Sequence, residues 1–391
     1  MIGWDELLGR LAETPRENGT AALHETASFL VDALGRSGVD AELVRFTAQP
    51  YGLRLVGVVA LVMGLLYFRL MRKGKRAAAL ILAVVVPVLL LAERDHYATI
   101  VGWIGAQPQY HVAARLPARA AVQRLVLTAH YDTKTDVLDH VQRAPIDYLT
   151  LPVVVLMVLG ALAGIGAARF RRRARALERL GTAAAWAAAL YGVGAFVALS
   201  VGAFLPSRSP GALDNGGSCA VLVRLAGALA EAPPLERTDV EVLLLSAEEV
   251  GVQGSWEYAA KRFASPPALP TFVVNLEGLG ASTGHVVLGG ERFTLRTFPP
   301  DPRLVALLDD VHRERFGEPV EVTAYAGATD ARSFLAHGIP AATLMTREPG
   351  QRFTRGLHSA RDVRSRLDPA ALDASTAYLL DVVRAIDARG L

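Results

Sequence analysis

Hydrophobic positions along the chain fall into two kinds of pattern. Two blocks, roughly 51–92 and 148–206, are almost continuously apolar, while the rest mixes apolar and polar positions as a globular domain does. Tyr148 to Ala168 runs 21 residues without a charge, and Leu180 to Ser207 runs 28. A helix rises about 1.5 Å per residue, so roughly 20 residues cross a bilayer core. The earlier block holds shorter runs, Leu55 to Phe68 and Ala77 to Ala92, and Arg54 and Arg69 can lengthen the first by snorkelling. The pattern predicts four transmembrane helices in two hairpins. A buried hairpin inside a soluble fold is the alternative, and by length it suits the earlier pair better than the later one.

Outside these blocks the periodicity is that of an α/β domain. Gly19 to Ser37 places Leu23, Ala27, Leu30, Val31 and Leu34 at helical spacing, and Gly35 and Gly38 suit its end. Asp40 to Thr47 reads as a strand with Val44 and Phe46 on one face. Tyr110 to Leu116, Arg124 to Ala129, Val242 to Leu245, Thr271 to Leu276 and Ile339 to Met345 read as further strands. Ser218 to Leu229, Gly254 to Phe263, Leu304 to Phe316 and Ala370 to Ala388 read as helices. Strands alternating with helices predict a mostly parallel mixed sheet covered by helices on both faces. The domain organisation is then one soluble domain in three pieces, 1–50, 94–147 and 207–391, interrupted by hairpins at 51–93 and 148–206.

Charge adds orientation. The net charge of +3 hides two clusters: Arg69, Arg72, Lys73, Lys75 and Arg76, then Arg169, Arg171, Arg172, Arg173, Arg175 and Arg179. Without them 30 basic residues face 38 acidic ones, so the domain offers no basic face and no nucleic acid is expected as a partner. Each cluster joins the two spans of one hairpin. Short cytoplasmic loops are enriched in Lys and Arg, which puts both loops inside and the soluble domain on the non-cytoplasmic face of a multi-pass protein. The N-terminal Met1 to Arg10 carries Asp5, Glu6 and Arg10 and is not expected to be a signal peptide. The single cysteine, Cys219, excludes an intrachain disulfide and multi-cysteine zinc sites, and is expected in the core.

Candidate chemistry gathers at the carboxyl ends of the predicted strands, where open α/β sheets place ligands. His130-Tyr131-Asp132 follows one strand, Ser246-Ala247-Glu248-Glu249 a second and Glu277 a third. Imidazole and carboxylate suit a hydrolytic metal, and Asp132 is placed to fix the His130 tautomer. Successive residues of an extended chain point oppositely, so Glu248 and Glu249 serve one site only if a turn intervenes. Asp214-Asn215-Gly216-Gly217-Ser218 opens a helix, and His358 sits in a glycine-containing loop. Taken singly, each has an ordinary structural reading as a solvated carboxylate, a helix start or a loop histidine.

Their order is another matter. His-x-Asp, Asp-Asn-Gly, Glu-Glu, a strand-end Glu and Gly-x-His, with Thr329-Asp330-Ala331-Arg332-Ser333-Phe334 and Gly338-Ile339-Pro340-Ala341, resembles the M28 family of zinc aminopeptidases. The resemblance implies a zinc-exopeptidase-like fold, a peptide substrate and two zinc ions. It implies that His130 and Glu277 bind one ion, Glu249 and His358 the other, and Asp214 bridges them. Glu248 would be the general base, Asp132 would orient His130, and the Asp214–Asn215 peptide would be cis. The chain departs from that pattern in having Glu277 where many relatives have Asp, in reading Asn-Gly-Gly-Ser after Asp214, and in the 81 residues between Asp132 and Asp214. The hairpins are expected to hold the site's rim near membrane lipid and to favour membrane-tethered or short substrates. Two other readings remain: a one-zinc glutaminyl-cyclase-like enzyme, and a receptor or scaffold that kept the fold without the metals. Side-chain preference and oligomeric state are not legible.

Overall fold

The computed structural model describes residues 2–96, 103–169, 174–348, 350–351 and 353–391. These form two compact units, one from Met1–Pro50, Gly105–Lys134 and Ser207–Leu391, the other from Tyr51–Ile104 and Thr135–Pro206.

The first unit begins with helices α1 (Trp4–Leu11) and α2 (Ala21–Arg36) and strand β1 (Ala41–Ala48). After the second unit's helices α3 (Gly52–Arg72) and α4 (Arg76–Arg94) come strands β2 (Gln107–Leu116) and β3 (Gln123–His130). Helices α5 (His140–Arg169) and α6 (Ala174–Leu199) also belong to the second unit. Then follow α7 (Gly217–Glu231), β4 (Thr238–Leu245), α8 (Gln253–Arg262) and β5 (Thr271–Glu277). Short strands β6 (His285–Val287), β7 (Glu291–Arg292) and β8 (Thr297–Phe298) precede α9 (Pro302–Phe316) and β9 (Glu321–Val322). The chain ends through α10 (Ala331–Ala336), β10 (Ala341–Thr346) and α11 (Pro369–Arg389).

Local chemistry sets several of these ends. Asp301 and Asp368 each cap a helix whose next residue is proline, accepting from Leu304 N at 3.3 Å and Ala370 N at 2.9 Å. Proline suits the first helical turn because its missing N–H would be unpaired there anyway. Helix α9 stops at Gly317, whose φ of 78° places it in the left-handed region.

The strands make an eight-stranded mixed sheet, order β1-β2-β4-β3-β5-β10-β6-β9, with helices covering it. Its centre, β4-β3-β5-β10, is parallel, whereas β1, β2 and β6 pair antiparallel with their neighbours towards the centre. Central strands read as continuous apolar runs because both faces are buried: Leu125, Val126, Leu127, Val242, Leu243 and Val274 are all core residues. Register brings the strand ends level. His130 lies opposite Leu245, Thr128 opposite Asn275, and Met345 opposite Glu277. The carboxyl ends of β3, β4, β5 and β10 therefore emerge side by side, and the parallel pairing aims the loops after them the same way.

The four helices of the second unit are long and apolar enough to cross a membrane. Small residues let them approach closely: a Cβ on Gly64 would lie 2.3 Å from the Ala188 carbonyl oxygen, and one on Gly192 would lie 2.7 Å from that of Ala60. Their outer faces leave Val62, Ile81, Val88, Leu151, Leu159 and Leu190 exposed. An apolar girdle of this kind marks an interaction surface when found on a folded protein. The bounds differ from those read off the apolar runs. Helix α5 starts at His140, eight residues before the charge-free stretch. Asp139 and Gln142 form a reciprocal cap there, Gln142 N donating to Asp139 Oδ1 at 2.9 Å and Asp139 N to Gln142 Oε1 at 3.0 Å. Helix α6 starts at Ala174 and ends at Leu199, so the apolar residues from Ser200 onward are not part of it. Arg171, Arg172 and Arg173 of the second basic cluster lie outside the described residues.

Candidate metal centre

Five segments meet beyond the carboxyl edge of the sheet. His130 is the last residue of β3, and its ring is fully buried. Its Nε2 lies 3.2 Å from Asp214 Oδ1 and 3.2 Å from Glu277 Oε1. His358 Nε2 lies 3.0 Å from Asp214 Oδ2 and 3.1 Å from Glu249 Oε2. Two clusters thus form, His130–Asp214–Glu277 and Asp214–Glu249–His358, each able to hold a metal ion. Asp214 is common to both and turns one carboxylate oxygen to each.

Backbone geometry and second polar groups hold several of the ligands. After β4 the chain turns at Ala247, whose φ of 64° is rare for a residue with a Cβ. That turn removes the alternation an extended chain would impose, so Glu248 and Glu249 both serve the site. Gly251 N and Val252 N close it by donating to the Glu248 carbonyl, at 2.9 and 2.7 Å. The Asp214–Asn215 peptide is cis. The Asn215 amide donates to the Leu276 carbonyl at 2.8 Å and accepts from Gly278 N at 3.1 Å, which pins both sides of Glu277. Asp362 accepts from Leu213 N at 2.8 Å and from Asp214 N at 3.1 Å.

Asp132 lies beside His130 and has a second set of contacts as well. His130 Nδ1 lies 3.1 Å from the Asp132 backbone carbonyl and 3.6 Å from its carboxylate Oδ1. The carboxylate also accepts from Glu248 N at 3.2 Å, Glu249 N at 3.0 Å and the Asn18 amide at 2.7 Å. It fixes the Glu-Glu turn. Asn18 and Asp362 went unnoticed in the sequence; each is a single polar residue in a loop, with no spacing that separates it from a solvated one.

The electrostatics ask for a cation. A carbonyl oxygen can only accept, so the proton of a neutral His130 ring sits on Nδ1. Its Nε2 lone pair then points at two carboxylates, an arrangement that is repulsive unless a proton or metal lies between. Burial on its own would lower the His130 pKa, but Glu277, Glu248, Asp132 and Asp214 carry it well above the ordinary imidazole value. Asp214 is held well below the carboxylate range despite its burial, through its bonds to His130 and His358. Burial pushes Glu248 well above that range, with Glu249, Asp330 and Glu277 adding to the effect. Burial likewise raises Glu277, and takes Asp330 to about 7. Glu249 Oε1 is buried with no hydrogen-bond partner among the described residues. A donor set of imidazoles and carboxylates around an excess of buried negative charge fits one or two divalent ions such as zinc.

The model of Peptidase family M28 matches residues 198–383. That stretch, just under half of the chain, is similar to the family. It contains Asp214, Glu248, Glu249, Glu277 and His358, while His130 and Asp132 lie before it. A likeness of fold extends further along the chain. The aminopeptidase LapA of Legionella pneumophila superposes with a TM-score of 0.54 at 14% identity, over 99% of this chain and 71% of that one. The glutaminyl cyclase of Porphyromonas gingivalis gives 0.54 at 15% identity, over 96% and 94%. A Zn-dependent exopeptidase from Parabacteroides distasonis gives 0.54 at 13% identity, over 97% and 95%. At these identities the likeness is one of fold. A search of curated proteins finds no match.

Proposed function

We propose that this chain is a membrane-anchored two-zinc aminopeptidase, with Glu248 as general base. The observation that carries the reading is the division of Asp214, one oxygen towards the His130–Glu277 pair and the other towards the Glu249–His358 pair. A carboxylate with one oxygen towards each cluster suits a site that holds two metal ions close together. His130, Glu277 and Asp214 Oδ1 would hold one zinc, and His358, Glu249 and Asp214 Oδ2 the other. Zinc bound there would supply Lewis-acid polarisation of the scissile carbonyl. Glu248, whose Oε2 lies 4.0 Å from His130 Nε2, would take a proton from the attacking water and pass it to the leaving amine. Burial raises its pKa, which makes it a stronger base than an ordinary carboxylate. Asp132 would hold the Glu248–Glu249 turn by its two amides. The four apolar helices would anchor the protein, with their basic connecting loops cytoplasmic and the peptidase domain on the other face.

Metal analysis of the detergent-purified protein beside hydrolysis of an aminoacyl-anilide panel tests this reading. Two zinc ions per chain and cleavage of at least one anilide are expected. The fold likeness to glutaminyl cyclases favours a second reading, a one-zinc cyclase. One bound zinc, with cyclisation of an N-terminal glutamine peptide and no anilide cleavage, would replace the first reading by the second.

Zinc affinity should also depend on pH. The metal-free His130 keeps its proton into the neutral range, because its pKa is raised, and an ion must displace that proton. Affinity therefore rises with pH, by about tenfold per unit for each proton displaced, until the metal-free His130 itself titrates. Chelator competition at pH 6, 7 and 8 measures the slope; a flat profile would contradict the assignment of His130 as a ligand.

A further inference from the structure

Arg16 is fully buried, yet its side-chain hydrogen bonds among the described residues all go to backbone carbonyls and none to a carboxylate. Its Nε donates to the Tyr131 carbonyl at 2.7 Å, Nη1 to those of Thr14 at 2.8 Å and Pro210 at 2.7 Å, and Nη2 to that of Gly211 at 3.2 Å. Its backbone N donates to Thr133 Oγ1 at 2.7 Å, and Thr133 N donates back to the Arg16 carbonyl at 3.0 Å. Glu17 bridges Thr133 in the manner of a parallel strand, and the next residue, Asn18, donates to Asp132. The fit is tight: a Cβ on Gly211 would lie 2.2 Å from Thr133 Cγ2 and 3.2 Å from Arg16 Nη2.

These contacts join the two ends of the second of the two cuts in the first unit. The chain leaves that unit after Lys134 and re-enters at Ser207. Tyr131 sits between His130 and Asp132, and Pro210–Gly211 leads within four residues to Asp214. Three site residues thus stand next to the cut ends, where sequence continuity cannot fix their spacing. We infer that residues 16–18 are a strap across this break, with Arg16 and Asn18 as positioning residues that hold His130, Asp132 and Asp214 in register for metal binding. The guanidinium fork reaches carbonyls from three segments at once, which a lysine ammonium on a single axis cannot do. Burial lowers its pKa to about 10, so the group stays cationic at neutral pH. The inference deepens the two-zinc reading and rests on it for its metal arm.

The test uses the full-length protein in detergent, as wild type, Arg16→Lys and Asn18→Ala, with peptide-level hydrogen exchange and zinc competition. Arg16→Lys is expected to exchange at least tenfold faster over 129–134 and 208–216, with α9 and α11 as in wild type, and to bind zinc at least tenfold more weakly. Unchanged exchange in those two segments, or acceleration shared by α9 and α11, would overturn the strap. So would wild-type zinc affinity in a variant whose segments had loosened. Should Arg16→Lys fail to fold, Asn18→Ala decides: faster exchange over 129–134 with zinc bound at least tenfold more weakly supports the strap, and wild-type exchange or wild-type affinity refutes it. Wild type binding no zinc would sink the peptidase reading alone, since the exchange arm needs no metal.

Discussion

Replacing Glu248 by Gln is expected to lower kcat about a thousandfold while leaving the zinc content as in wild type. General-base catalysis contributes roughly 10²–10⁴ in rate, and Gln matches Glu in shape but cannot carry the proton. The metal arm of this expectation comes from geometry. Glu248 stands 4.0 Å from His130 Nε2, outside the 3.0–3.2 Å contacts that the other carboxylates make with the two imidazoles. Its backbone amide, which Asp132 holds, is untouched by the substitution. KM should change little, because the lost step lies in the transition state. Loss of zinc from Glu248→Gln would mean that Glu248 is a ligand, and turnover equal to wild type would remove it from the mechanism.

Asp214→Asn is expected to strip at least one zinc per chain and to take activity to background, a fall of roughly 10³-fold or more if metal polarisation is the main catalytic term. An amide can present one oxygen, whereas both oxygens of Asp214 are engaged, one on each histidine. The amide nitrogen would then point N–H groups at one cluster and repel a cation there. His358→Ala serves as the comparison, since it removes one ligand from the Glu249 side only. Metal analysis of both variants, with thermal melts to confirm folding, measures the difference. An Asp214→Asn protein that kept two ions would refute the bridging role.

Much of the site was legible because its residues end strands or closely follow them. A run such as Leu125–Ala129 is recognisable from five residues, and a polar residue just after it must lie at the sheet's edge. Parallel neighbours share that edge, which is why His130, Glu248, Glu249 and Glu277 converge. Asp362 had no such signal. Its role comes from accepting two amides about 150 residues away in sequence, and one carboxylate in a loop looks like any other. The short strands β6 to β9 escaped for a related reason: two or three residues are too few to display a period of two.

What the sequence by itself determined was local: membrane-length apolar helices, the alternating elements of an α/β domain, and the order of the residues in the candidate site. These depend on composition and periodicity over some ten to thirty residues. Tertiary structure decided the sheet order, the antiparallel flank of β1 and β2, the two faces of Asp214, the hold of Asp132 on the Glu-Glu turn, and the buried Arg16 at the cut ends of the domain. Each of these is a meeting of segments far apart along the chain. Short-range pattern carries no record of which distant segments pack together, so those contacts had to be seen in three dimensions.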